Sequence, residues 1–210
     1  MKYIASLLIA GALAGIASPV YAATTINFGT PSGNLGTTET YTAGGFTIVA
    51  SGFDQNNVAT DLYGKNAGAN EIGLGLANDP SGQHEIYFGK GFVQIDVSQL
   101  FGKVSNISFF TNSTTQGEQW SIFGSNIAGS YSGPALLSGT NQSTANLPGF
   151  GSYKFYDFVS TSQSGGKNFL LSGLTITAVP EPTTWAMMLL GFGVMGFGLR
   201  RRPSQALAAA

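Results

Sequence analysis

Between residues 23 and 178, apolar side chains recur at every second position in short runs, and each run is bounded by Gly, Pro, Ser, Asn or Asp. A period of two sends alternate side chains to opposite faces of a strand, so this pattern confines the stretch to β-structure. Residues 92–97 show it plainly: Val93, Ile95 and Val97 fall on one face, with Gln94 and Asp96 on the other, as in a half-buried strand. Further strands are predicted over 24–28, 45–50, 71–76, 85–88, 104–111, 119–124, 153–160 and 168–177. Turn clusters at Pro31-Ser32-Gly33, Asp79-Pro80-Ser81-Gly82, Pro148-Gly149 and Gly165-Gly166 separate them. The fold class that follows is all-β, an antiparallel β-sandwich of jelly-roll type. Residues 125–149, rich in Ser, Gly, Asn and Thr, are expected to form a long surface loop or a pair of edge strands.

The chain has 0 cysteines, so neither a disulfide nor a thiolate nucleophile is available, and stability must come from burial and backbone hydrogen bonding. Only 9% of residues are charged and no basic patch lies in 23–178, which excludes nucleic acid as a partner. No repeat of fixed period appears, which argues against a solenoid.

Catalytic chemistry finds little footing. His84, the one histidine, sits beside a turn and reads as a polar loop residue; a Ser-His-Asp arrangement would have to use it, and no Gly-x-Ser-x-Gly elbow accompanies it. One histidine and no cysteine make a zinc site unsupported. Glu71, Glu85, Asp96, Glu118 and Asp157 supply carboxylates, but spacing does not place two of them face to face. The reading is therefore non-enzymatic, with no catalytic residue, metal ligand or cofactor assigned. Oxygen ligands around Asp54-Gln55-Asn56-Asn57 to Asp61, and around Glu71, Asn78, Asp79 and Glu85, would suit a structural calcium, although neither cluster has the spacing of an EF-hand loop. Trp120, Tyr131, Tyr153 and Tyr156 are candidates for a sugar-stacking platform, set against their use as core or cross-strand pairs.

The two ends are different in kind. Residues 1–22 carry Lys2, an apolar stretch over 4–16 and the small-residue site Val20-Tyr21-Ala22, the pattern of a secretory signal-peptide helix cleaved between Ala22 and Ala23. Residues 179–210 stack three blocks: Pro180-Glu181-Pro182, an uncharged run over 183–199, and Arg200, Arg201 and Arg202. The run makes roughly 25 Å of helix at about 1.5 Å per residue, which predicts a short transmembrane helix. Trp185 would flank it at one interface and the arginines at the other, on the cytoplasmic side. Gly191, Gly193, Gly196 and Gly198 form no Gly-x-x-x-Gly pair. The expected organisation is a signal peptide at 1–22, a β-sandwich at 23–178 and a C-terminal tag at 179–210.

Taken in order, Pro-Glu-Pro, Trp185-Ala186-Met187-Met188, the glycine-rich apolar span and the arginine cluster resemble the PEP-CTERM sorting signal in its Trp-Ala variant. The resemblance implies recognition of Pro180, Glu181 and Pro182 by exosortase, an integral-membrane cysteine protease of the inner membrane, and removal of the tag near the motif. Stretches such as Glu71-Ile72-Gly73-Leu74-Gly75-Leu76 and Trp120-Ser121-Ile122-Phe123 resemble the sandwich domain often found ahead of such tags. The expectation is an exported surface or extracellular-matrix protein, structural or adhesive, anchored briefly in the inner membrane with its β-domain periplasmic. Its expected partners are exosortase, membrane lipid before processing and the extracellular polysaccharide of a biofilm matrix. The alternative is a secreted, calcium-assisted carbohydrate-binding module, and a third reading is a secreted glycoside hydrolase.

Overall fold

The computed structural model describes residues 23–68, 70–112, 117–163, 168–179 and 182–200. In chain order the strands are β1 (Ala23–Asn27), β2 (Gly33–Gly36), β3 (Thr38–Ala43), β4 (Phe46–Asp54), β5 (Leu62–Asn66), β6 (Ile72–Leu76) and β7 (Gly91–Asp96), then β8 (Val104–Asn112), β9 (Gln119–Ser125), β10 (Leu137–Thr140), β11 (Ser143–Asn146), β12 (Phe155–Ser160) and β13 (Leu170–Ala178). A helix, α1 (Pro182–Arg200), follows. The strands lie in a unit spanning Ala22–Glu181, and α1 belongs to another.

All strand pairs are antiparallel and form two sheets, in the orders β11-β8-β13-β6-β5-β2, with β1 also on β13, and β10-β9-β12-β7-β4-β3. Strands β6 to β13 wind as a jelly roll, alternating between β6-β13-β8-β11 in one sheet and β7-β12-β9-β10 in the other. The hairpin β3-β4 widens the second sheet beyond β7, and β5 and β2 widen the first beyond β6. The 125–149 stretch supplies an edge strand to each sheet: β10 pairs with β9 and β11 with β8. Both are four residues long and rich in Ser and Thr, which limits what an exposed edge offers to a passing strand.

The alternating positions face inward as the period of two requires. Ile48, Val93, Ile95, Trp120, Ile122, Tyr156 and Phe158 from one sheet meet Leu74, Ile107, Phe109, Leu171, Leu174 and Ile176 from the other, all buried. Phe109 lies between two partners from the opposite sheet, 5.3 Å from the Trp120 ring at 86° and 5.4 Å from Phe158 at 66°. Burying a side chain of this size contributes about 1.5–3 kcal/mol. Two polar tips in this core are satisfied: Trp120 Nε1 donates to Asn141 O (3.1 Å) and Tyr156 Oη to Pro148 O (3.0 Å).

Three expectations need correction. Residues 85–88 form no strand, only an isolated bridge between Ile86 and Phe169, because His84 turns into the left-handed region (φ 59°) and breaks the ladder. Strand β7 is not half-buried: Gln94, on its outer face, is 2% exposed. The C-terminal helix forms over 19 residues, yet among the described residues no helix is long and apolar enough to cross a membrane. Two threonines and four glycines dilute the apolar residues of α1, so a transmembrane helix is not supported.

The β-unit ends firmly. Ala178 pairs with Val104 at the end of β13, and the next amide, Val179 N, donates to Lys103 O (3.0 Å).

Candidate functional site

Three places concentrate chemistry, and the first is the C-terminal segment. Pro182 opens α1, where its fixed φ and missing N–H are tolerated, and Arg200 closes it. Trp185, Met187, Leu189, Leu190, Phe192 and Met195 are all exposed on α1. Pro180, Glu181, Arg201, Arg202 and Ala22 lie outside the described residues, while Ala23 is the first residue of β1 and pairs with Thr177.

The second place gathers the acids singled out in the sequence. Lys65, on β5, donates to Glu85 Oε1 (2.8 Å) and contacts Glu71 Oε2. Burial pushes the Glu85 carboxyl up to about 7 against the pull of Lys65. Burial also works against the Lys65 ammonium, but its bonds to Glu71 and Glu85 outweigh it and hold the lysine above its ordinary value. The arrangement is a Lys65–Glu71 ion pair with Glu85 ready to keep a proton. Beside it lies a cleft of about 390 Å³ where the Tyr63 and His84 rings stack at 3.9 Å and 17°. His84 Nδ1 is buried with no hydrogen-bond partner among the described residues.

The third place was not foreseen. On the outer face of the second sheet, strand register sets two cross-strand rows: Ser51, Gln94, Asp157 and Phe123, then Phe53, Phe92, Val159 and Ser121. Segment 126–136, leaving β9, folds across them. Gly129 N donates to Gln94 Oε1 (2.9 Å), and Gln94 Nε2 donates to Asp157 Oδ1 (2.7 Å). Tyr131 packs edge-on against Phe92 (5.0 Å, 81°) and tilted against Phe123 (4.7 Å, 37°), while Phe53 stacks on Phe92 (5.2 Å, 21°). Asp157 is wholly buried, and burial pushes its carboxyl up to about 7, with the Gln94 bond pulling the other way. A cleft of about 460 Å³ opens beside this cluster, between Tyr131, Phe88, Phe123, Val159 and the hairpin residues Gln55 and Asn57.

The remaining sequence candidates fall as follows. Trp120 and Tyr156 are core residues, and Tyr153 packs against Tyr156 (6.1 Å, 80°), so of the proposed aromatic platform only Tyr131 reaches a cleft. Alternation along Trp120-Ser121-Ile122-Phe123 carried the signal: Ile122 shares the inward face with Trp120, which leaves Phe123 pointing out. Two of the acids weighed for calcium accept local hydrogen bonds. Asp54 Oδ1 accepts from Asn56 N (2.8 Å) and Val58 N (2.9 Å), and the Val58 bond foremost holds its carboxyl below the ordinary value. Asp79 accepts from Ser81 N (2.8 Å), Ser81 Oγ (2.7 Å) and Glu85 N (3.1 Å). Among the described residues no three His, Cys, Asp or Glu side chains gather to hold a metal ion. Asp96 accepts from Ser98 N (2.8 Å), and Glu118 is buried.

In the sequence, the last strand of the β-unit is followed by a proline-flanked glutamate, a largely apolar helix and an arginine cluster. The family model described as the PEP-CTERM protein-sorting motif matches residues 178–202, and the chain carries that motif. It is a sorting signal that marks the chain for export and membrane-associated sorting. No curated protein matches the chain. Among solved structures, the K1 cleaved adhesin domain of Lys-gingipain from Porphyromonas gingivalis W83 is similar at 13% identity over 76% of this chain and 99% of that one, with a TM-score of 0.32.

Proposed function

We propose that the protein is a non-enzymatic export cargo that exosortase recognises at Pro180, Glu181 and Pro182 in the inner membrane and releases to the cell surface or extracellular matrix, where the β-domain acts as a structural or adhesive element. The observation that carries this reading is the sorting-motif match over 178–202. Prolines at 180 and 182 restrict their neighbours to extended backbone, a form a protease cleft can accept. The marginal apolarity of α1 suits a segment held in the membrane by the sorting protease and surrounding lipid rather than one that spans alone. Signal-peptide cleavage between Ala22 and Ala23 would leave β1 whole, since its pairing begins at Ala23. A non-enzymatic role agrees with the engagement of these acids, Glu71 and Glu85 with Lys65 and Asp157 with Gln94.

The test is intact mass and fractionation of the protein in its native host, wild type beside Pro180→Ala/Pro182→Ala. Wild type released without the arginine cluster, with the variant retained in the inner membrane at full mass, is the expected result. Released wild type that still carries Arg200, Arg201 and Arg202 would overturn the reading.

A further inference from the structure

We propose that the cleft beside Tyr131 on the outer face of the second sheet binds a neutral sugar unit of a polysaccharide. The inference goes beyond the sorting reading and stands on the β-domain alone.

Its first support is the aromatic lining. An outer sheet face in a two-layer domain normally carries polar residues, yet here Phe92, Phe123 and Tyr131 line a cleft of about 460 Å³, and Phe88 stands at its mouth 42% exposed. Aromatic rings offer flat apolar faces to the C–H faces of a pyranose ring.

The second support is the polar part of the lining. Gln55, Asn57 and Thr161 carry side chains that both donate and accept, which matches hydroxyl groups that do the same. Asn57 is held in place: its φ is 63°, its N–H donates to Asp54 O (3.1 Å), and the Asp54 carboxylate ties down the amides of Asn56 and Val58.

The lining also decides against other ligands. It contains no Lys, Arg, His, Asp or Glu, so a charged ligand would be desolvated there without a counter-charge. A purely aliphatic ligand would desolvate Gln55, Asn57 and Thr161 without giving them partners. What remains is neutral, flat-sided and hydroxylated, and the volume suits one or two pyranose rings.

The experiment is saturation-transfer-difference NMR on the full-length protein, irradiating aromatic protons, with cellohexaose, xylohexaose, mannohexaose and the anionic hexagalacturonate as probes. Transfer to the ring protons of at least one neutral hexasaccharide is expected, and Phe88→Ala and Gln55→Ala should each weaken that binding roughly tenfold or more. Phe88 and Gln55 are both exposed, so both variants should retain the wild-type melting temperature. Tyr63→Ala, at the other aromatic cleft, should leave binding unchanged. No transfer to any neutral probe at about 10 mM, a concentration that reveals even millimolar affinity, would overturn the proposal. So would transfer to hexagalacturonate alone, or binding indifferent to both cleft variants.

Discussion

Gln94 Nε2 and Asp157 Oδ1 are 2.7 Å apart, on neighbouring strands of one sheet, and both residues are buried on the face that points away from the core. The pair ties three distant pieces of sequence together, because Gln94 Oε1 also accepts from Gly129 N in the segment that covers the sheet.

Asp157 makes stability depend on pH. A free aspartate titrates near about 3.9, whereas the buried carboxyl is pushed up to about 7. Between those values the folded protein keeps a proton that the unfolded chain has shed, so stability present at low pH is lost as pH rises through about 7. Asp157→Asn cannot ionise and its side-chain oxygen still accepts from Gln94. Thermal unfolding should show the variant equal to wild type near pH 4 and more stable by on the order of 2 kcal/mol at about pH 8.

Gly129 has φ +72°, and a Cβ there would stand 2.7 Å from the Phe53 ring. Gly129→Ala should therefore lift segment 126–136 off the sheet, at about 1–3 kcal/mol. Limited proteolysis would read this as new cuts within 126–136, with the rest of the β-unit intact.

Lys65 and Glu85 should respond unequally to substitution. Lys65→Met leaves two carboxyl groups without their shared cation and should cost about 3–5 kcal/mol. Glu85→Gln replaces a carboxyl that already tends to hold a proton, since burial raises it to about 7, and should change stability by under about 1 kcal/mol at mildly acid pH. Denaturant titration near pH 6 compares the two.

Trp120→Ala should cost about 3–5 kcal/mol, as expected for a large side chain removed from a packed core. Trp120→Phe should cost less but removes one of the two bonds to Asn141 O at the β10-β11 turn, leaving the one from Thr111 Oγ1 (3.2 Å). Hydrogen exchange would detect that loss as faster exchange at the β10 and β11 amides, before any change in the core strands.

Much of the sandwich was legible in the sequence because its core strands keep a clean period of two, as in Val93, Ile95 and Ile107, Phe109. Strands β2, β3 and β5 were not, since Gly33-Asn34-Leu35-Gly36 and Thr38-Glu39-Thr40 lack apolar alternation, and β3 and β5 each bury one large apolar side chain, Tyr41 and Leu62. The aromatic cleft was invisible for another reason. Burial of Gln94 and Asp157 depends on a cover supplied by 126–136, and local periodicity carries no information about which distant segment lies over a sheet face. The sorting motif was the opposite case, legible entirely as a linear order of blocks.

The bond from Val179 N to Lys103 O marks where the fold's own hydrogen bonding stops, one residue before Pro180. Among the described residues, none beyond that amide joins the sandwich ladder. If the proposed processing breaks a peptide bond at the motif, the sandwich should keep its melting behaviour, and a change of residence would be independent of folding.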